Sequence, residues 1–107
     1  MKQLEKFRDP LSAAPKVALE NEHVRVLDIN IRPGEKVPMH SHPAYINVVL
    51  DNTCKVEFTM PDGRAHTEEL KPGDVTWRDA EAHEGKNVGA AKCHLLVIEM
   101  KALAEAK

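Results

Sequence analysis

Aromatic side chains are scarce in this chain: two phenylalanines, one tyrosine and one tryptophan among 107 residues. Any core must therefore be filled by valine, isoleucine, leucine and methionine. Charge of one sign is lacking too. Fifteen basic residues face seventeen acidic ones, for a formal net charge of −2. The basic residues form no run and do not interleave with aromatics, so nucleic acid is not an expected partner. No apolar stretch approaches the roughly 20 residues that a membrane helix needs. Met1 to Asp9 mixes charges and has no apolar block of the kind a signal peptide carries. The expectation is a cytoplasmic protein with no membrane partner.

Cysteine is nearly absent. Cys54 and Cys93 are too few for a disulfide framework. In a reducing compartment they are expected to stay thiols and to behave as small buried hydrophobes. Neither sits at an expected helix N-terminus, where a lowered pKa would make it a nucleophile. No Ser-His-Asp or Cys-His set has motif context, and the glycines form no phosphate-binding loop. Nucleophilic catalysis and nucleotide binding are disfavoured.

What is present is a pattern of short strands and tight turns. A chain of this length is one domain's worth, 1–107, with a core over about 16–100. It can bury only somewhat more than half of its unfolded surface, and a closed barrel or two-sheet sandwich is an economical way to do so. Residues 2–8 could form a short helix before Pro10. Val17 to Glu20 reads as a short strand and residues 23–32 as a longer one. There Leu27, Ile29 and Ile31 alternate with Asp28, Asn30 and Arg32, the period of a half-buried strand. Val24 and Val26 fall on the opposite parity, which a bulge near residue 26 or cover on both faces would reconcile.

Pro33-Gly34, Pro61-Asp62-Gly63 and Pro72-Gly73-Asp74 mark turns, and Asp51-Asn52 reads as a hairpin turn after the apolar residues 45–51. Val56, Phe58 and Met60 alternate with Glu57 and Thr59. The last long strand spans Cys93 to Met100, and the tail from Ala102 is helix-prone but short. Turn signals every eight to twelve residues point to an all-β, antiparallel sandwich or barrel.

The chemistry sits in the histidines. His40 and His42 are two apart, and in a strand residues i and i+2 point to one face. Two imidazoles one strand step apart can chelate one ion. Neutral imidazole suits iron, zinc, nickel, manganese or copper better than calcium or magnesium.

Gly34, five residues, then His40-Ser41-His42 resembles the first motif of the cupin superfamily. Pro72-Gly73-Asp74, followed by His83 and then Asn87, resembles the second. The resemblance spans roughly residues 24 to 100. It implies an antiparallel jelly-roll β-barrel with a short N-terminal helix or extension. It also implies one divalent transition metal ion held by His40, His42 and His83, a small-molecule ligand, and a homodimer formed through edge strands. Two departures stand out. The cupin glutamate ligand after the second histidine has no counterpart, and Tyr45 or Asn47 is the candidate for its place. The second motif shows Asp79, Ala80 and Glu81 where Pro-x-Gly is usual.

Three neutral histidines leave the ion's full charge, which favours anionic co-ligands and open coordination positions. A three-histidine face on iron resembles the thiol and diketone dioxygenases among the cupins. On zinc the same face would lower a bound water's pKa to about 7. The expected function is a metal-dependent oxidation of a small anionic molecule, with Tyr45 as a catalytic hydrogen-bond donor. A non-catalytic metal-dependent binding or sensing module is the alternative, and a metal-free barrel with packed histidines is a third. Asn87 reads as a structural rim residue and Trp77 as core packing or a cavity-mouth residue. A simple hairpin of 83–88 with 93–100 would put His94 on the face of His83. His23 and His66 read as solvent residues.

Overall fold

A computed structural model of the chain describes residues 15–101. The helix expected at residues 2–8 and the tail from Ala102 lie outside the described residues. Nine strands follow in order: β1 (Lys16–Glu20), β2 (Val24–Ile31), β3 (Lys36–His42), β4 (Tyr45–Val49), β5 (Cys54–Thr59), β6 (Ala65–Leu70), β7 (Val75–Arg78), β8 (Glu81–Asn87) and β9 (Cys93–Met100). They form a five-stranded sheet in the order β1-β2-β9-β4-β7 and a four-stranded sheet in the order β3-β8-β5-β6. Every pairing is antiparallel. The chain passes from one sheet to the other at most of its connections, and this builds the jelly roll.

Alternation decides which residues meet between the sheets. Leu27, Ile29, Ile31, Leu95, Val97 and Val49 face inward from the five-stranded sheet, and Val37, Val56 and Phe58 from the other. The parity of β2 is that of Leu27, Ile29 and Ile31, so Val24 and Val26 lie on the outer face. The extra residue is not in β2, which pairs with β9 without interruption. It is Ala18 in β1, where Val17 pairs with Leu27 but Leu19 pairs with Val26. The turns at 61–63 and 71–74 are as expected, each with its glycine at a φ of 90°, a conformation that costs a residue with a side chain.

Three expectations are corrected here. Asp51-Asn52 is not a hairpin turn, because β4 and β5 belong to different sheets. The end of β4 bonds instead to the 71–74 turn, through Gly73 N to Val49 O and Val49 N to Asp74 O. Likewise, 83–88 and 93–100 are not a hairpin. Asn87 pins that crossing with its amide, donating to Ile31 O at 2.7 Å and Ala91 O at 2.9 Å and accepting from Gly89 N, the structural role expected of it. The cysteines are not thiols: Cys54 on β5 and Cys93 on β9 form a disulfide with a Cα–Cα distance of 5.5 Å. Both are buried, and the bond ties one sheet to the other.

Candidate metal centre

The register of β3 on β8 assembles the histidines. His40 pairs directly with His83, and His42 lies one strand step further along the same inner face. All three are buried. Their ring centroids are 4.5 Å (His40–His42), 4.7 Å (His40–His83) and 5.1 Å (His42–His83) apart. One nitrogen from each lies within 4.8 Å of the others. The structure thus brings together the trio expected from the two motifs.

Behind each ring, Nδ1 has its own partner. His40 Nδ1 is 2.6 Å from Pro38 O, His42 Nδ1 is 2.6 Å from Glu99 Oε2, and His83 Nδ1 is 2.5 Å from Glu81 Oε2. A carbonyl and an ionised carboxylate can only accept, so each Nδ1 carries its proton and each Nε2 is left to the centre. There His40 Nε2 and His42 Nε2 lie 2.8 Å apart. Two lone pairs cannot hold that distance unaided; a cation must sit with them, either a proton on one imidazole or a metal ion. Burial works against a proton on His40. It is the main cause that pushes the His40 pKa down to about 3, with the charge of His42 adding to it. Burial also lowers His83, although the hydrogen bond it donates to Glu81 opposes it. The donor set, its tautomers and its surroundings fit a divalent transition ion.

Glu99 is the residue that sequence reasoning missed. It is buried on β9, and its Oε1 accepts from Arg25 Nε at 2.8 Å and Nη2 at 2.5 Å while Oε2 meets His42. Arg25 and Glu99 are each 1% exposed. Burial pushes the Glu99 carboxyl up, but the hydrogen bonds from His42 and Arg25 more than offset it and hold it below the usual carboxylate range. A signal was present in the sequence: Leu95, Val97 and Glu99 share one parity, so a charged residue stood on a core face. The hairpin assumption put the opposite parity inward. His94 in fact faces outward, with Nδ1 2.7 Å from Asp51 and Nε2 2.8 Å from Asp28. Those hydrogen bonds, that to Asp51 first, raise its pKa.

A cavity of about 460 Å³, its mouth included, adjoins the cluster and is lined by the three histidines, Tyr45, Asn47, Phe58, Arg78 and aliphatic side chains. The Tyr45 ring lies 4.5 Å from that of His42, and burial, then the charge of Glu81, raises its hydroxyl's pKa. It remains a donor. Arg78 stacks over Phe58 at 5.2 Å and bonds Glu68 through both terminal nitrogens, at 2.9 and 2.6 Å. Trp77 is neither core nor cavity mouth: it is 53% exposed on edge strand β7 and donates to Asp79. His23 and His66 are exposed as expected.

No family model matches the sequence, and no curated protein does. Solved structures do. A cupin domain from Bordetella pertussis Tohama I aligns with a TM-score of 0.77 over 87% of this chain and 97% of its own, at 26% identity. The chain belongs to the cupin superfamily. Other neighbours of this cupin include an RmlC-like cupin family protein with a double-stranded β-helix fold from Methanocaldococcus jannaschii. It has a TM-score of 0.67 at 17% identity and covers 92% of this chain and 91% of its own. A DMSP lyase from Ruegeria pomeroyi DSS-3 has a TM-score of 0.66 at 18% identity, over 96% of this chain and 56% of its own. At those two identities the likeness shows the fold alone. Tyr45 and Asn47, the candidates for the missing glutamate's place, both lie on this cupin's inner wall, and Tyr45 is the one packed on a histidine of the cluster. Glu81, which stands in the departure from the second motif, is the partner of His83.

Proposed function

We propose that His40, His42 and His83 hold one divalent transition metal ion and that the protein is a metal-dependent enzyme acting on a small anionic molecule, by a dioxygenase-type oxidation. The observation that carries the metal reading is the 2.8 Å approach of two Nε2 atoms whose rings are both committed at Nδ1 to acceptors. A redox-active ion bound there would supply Lewis acidity and a path for electrons from the bound anion to dioxygen. The chain's own residues do the rest. Three histidines form a fixed face and leave the opposite side open. Arg25, through Glu99, holds the His42 ring in one tautomer and orientation, and Glu81 does the same for His83. These carboxylates, one atom layer behind the rings, offset part of the charge that a directly bound glutamate would have cancelled. In this reading Tyr45, packed on His42, donates a hydrogen bond to the anion, and the aliphatic walls keep bulk water away from it.

The absence of a glutamate ligand favours a second reading, a non-catalytic metal-dependent binding module; fold does not choose between them. Oxygen uptake by the iron-loaded protein with thiols, diketones and flavonols separates the two. Consumption with one class supports the enzyme, and none across the panel supports the module.

The reading includes a homodimer and, from the mixed charges of Met1 to Asp9, a cytoplasmic setting, against which the Cys54–Cys93 disulfide counts. Support for the dimer comes from the outer face of the five-stranded sheet. Leu19, Val26, Ile98, Ile46 and Trp77 lie in register across all five strands, and the two end residues are exposed. Among the described residues no helix is long and apolar enough to cross a membrane.

A further inference from the structure

Strand β4 turns two polar side chains into the cavity, Tyr45 and Asn47. They are 3% and 5% exposed, and among the described residues neither the hydroxyl nor the amide has a hydrogen-bond partner. No fully enclosed side-chain nitrogen or oxygen among those residues lacks a partner. The two groups are therefore not walled in; they reach the free space of the cavity. Asn47 is out of place by two further measures. Asparagine is a poor strand residue, and a buried amide without a partner is unfavourable. Its neighbours in the pairing are Val97 and Thr76, so a β-branched residue would suit the strand better. The fold alone gives no reason for an amide here.

The charge on the walls narrows what it meets. Arg78 is the sole lysine or arginine among the lining residues, and Glu68 occupies both of its terminal nitrogens. No free positive charge is left away from the histidines. Tyr45 packs against His42, so its ring lies at the histidine end of the cavity. Asn47 stands one strand step along, about 7 Å between Cα atoms.

We infer that the cavity takes a small monoanion that places its charge at the histidine cluster and carries a neutral hydroxyl or carboxamide one strand step away, read by Asn47. Such a group both donates and accepts, as the amide does, while Tyr45 donates to the charged head. A second carboxylate would find no cation, and a purely apolar tail would leave the amide unpaired. The inference rests on the metal reading above and adds a ligand class to it.

The full-length protein loaded with cobalt(II) tests it, by titration with 3-hydroxypropanoate, propanoate and malonate against the cobalt absorption bands. Wild type is expected to bind 3-hydroxypropanoate about 10-fold more tightly than either of the others, the worth of one well-made hydrogen bond. Asn47→Val is expected to abolish that preference, by weakening 3-hydroxypropanoate while propanoate binds as tightly as before or more tightly, and to raise the melting temperature of the metal-free protein. Equal affinity for 3-hydroxypropanoate and propanoate, a preference that survives in Asn47→Val, or a lower melting temperature in that variant overturns the inference. With cobalt bound in those cases, the metal reading stands. Wild type that takes up no cobalt overturns both.

Discussion

Each histidine of the cluster is defined by the atom behind it. Glu99 and Glu81 do similar work from different surroundings, and their variants should separate. Glu81 is partly exposed, and among the described residues it forms no ion pair with an arginine. Glu81→Gln should weaken metal binding by about 10-fold with little change in stability. Glu99→Gln strands the buried Arg25 charge, so it should also cost about 3–5 kcal/mol of stability; adding Arg25→Met should recover much of that but not the metal affinity. Calorimetric metal titration and urea unfolding read the two effects. Unchanged affinity in both single variants would remove the carboxylates from the account. Protonation gives a second residue-scale prediction. Buried His40 titrates near 3 in the fold against about 6.5 unfolded. Between those values the unfolded chain binds a proton that the fold rejects. Stability of the metal-free protein is therefore full above pH 6.5 and falls as the pH drops toward 3, by at most about 1.4 kcal/mol per pH unit for this group. His94 runs the other way: its raised pKa gives stability that is full below pH 6.5 and is lost as the pH rises through the folded value. The comparison of urea midpoints at pH 7.5 and 5 thus belongs in His94→Asn, where a lower midpoint at pH 5 is expected and an equal or higher one contradicts the burial argument.

At the scale of elements, pairing between sheets matters more than the strands themselves. The Cys54–Cys93 bond closes a loop with a sequence separation of 39 and links the two sheets. Replacing both cysteines by alanine should cost about 2–4 kcal/mol, read as a lower urea midpoint that reductant no longer affects. A midpoint equal to that of oxidised wild type would show that the bond contributes nothing. Strand positions were largely legible in the sequence, because alternation and proline-glycine turns are local signals. β9 was expected over Cys93 to Met100 and lies there, and the two-apart spacing of His40 and His42 did place both on one face. Sheet membership was not legible. Nothing near Asp51-Asn52 or residues 88–92 distinguishes a hairpin from a crossing, since both need a short polar turn. That one ambiguity inverted the parity of β9, and so hid Glu99 and turned His94 inward; the thiol expectation for the cysteines rested instead on their number and on a reducing compartment. Trp77 was misplaced for a related reason: a large apolar residue on an edge strand is as easily outside as in.

The whole molecule leaves an apolar row across the outer face of its larger sheet, ending at Leu19 and Trp77. Edge strands and exposed apolar faces both invite cover, and a stable dimer buries about 800 Å² on each partner. Light scattering should give twice the monomer mass, and Trp77→Lys should halve it without loss of the histidine site; a wild-type monomer at high concentration would count against the dimer. The central claim concerns the point where two motifs about 40 residues apart meet between the sheets. Crystals of tag-free protein loaded with zinc address it directly through anomalous diffraction. The account predicts one peak at about 2.0–2.1 Å from Nε2 of His40, His42 and His83. A peak held by other residues, or three rings with no ion among them, would contradict it.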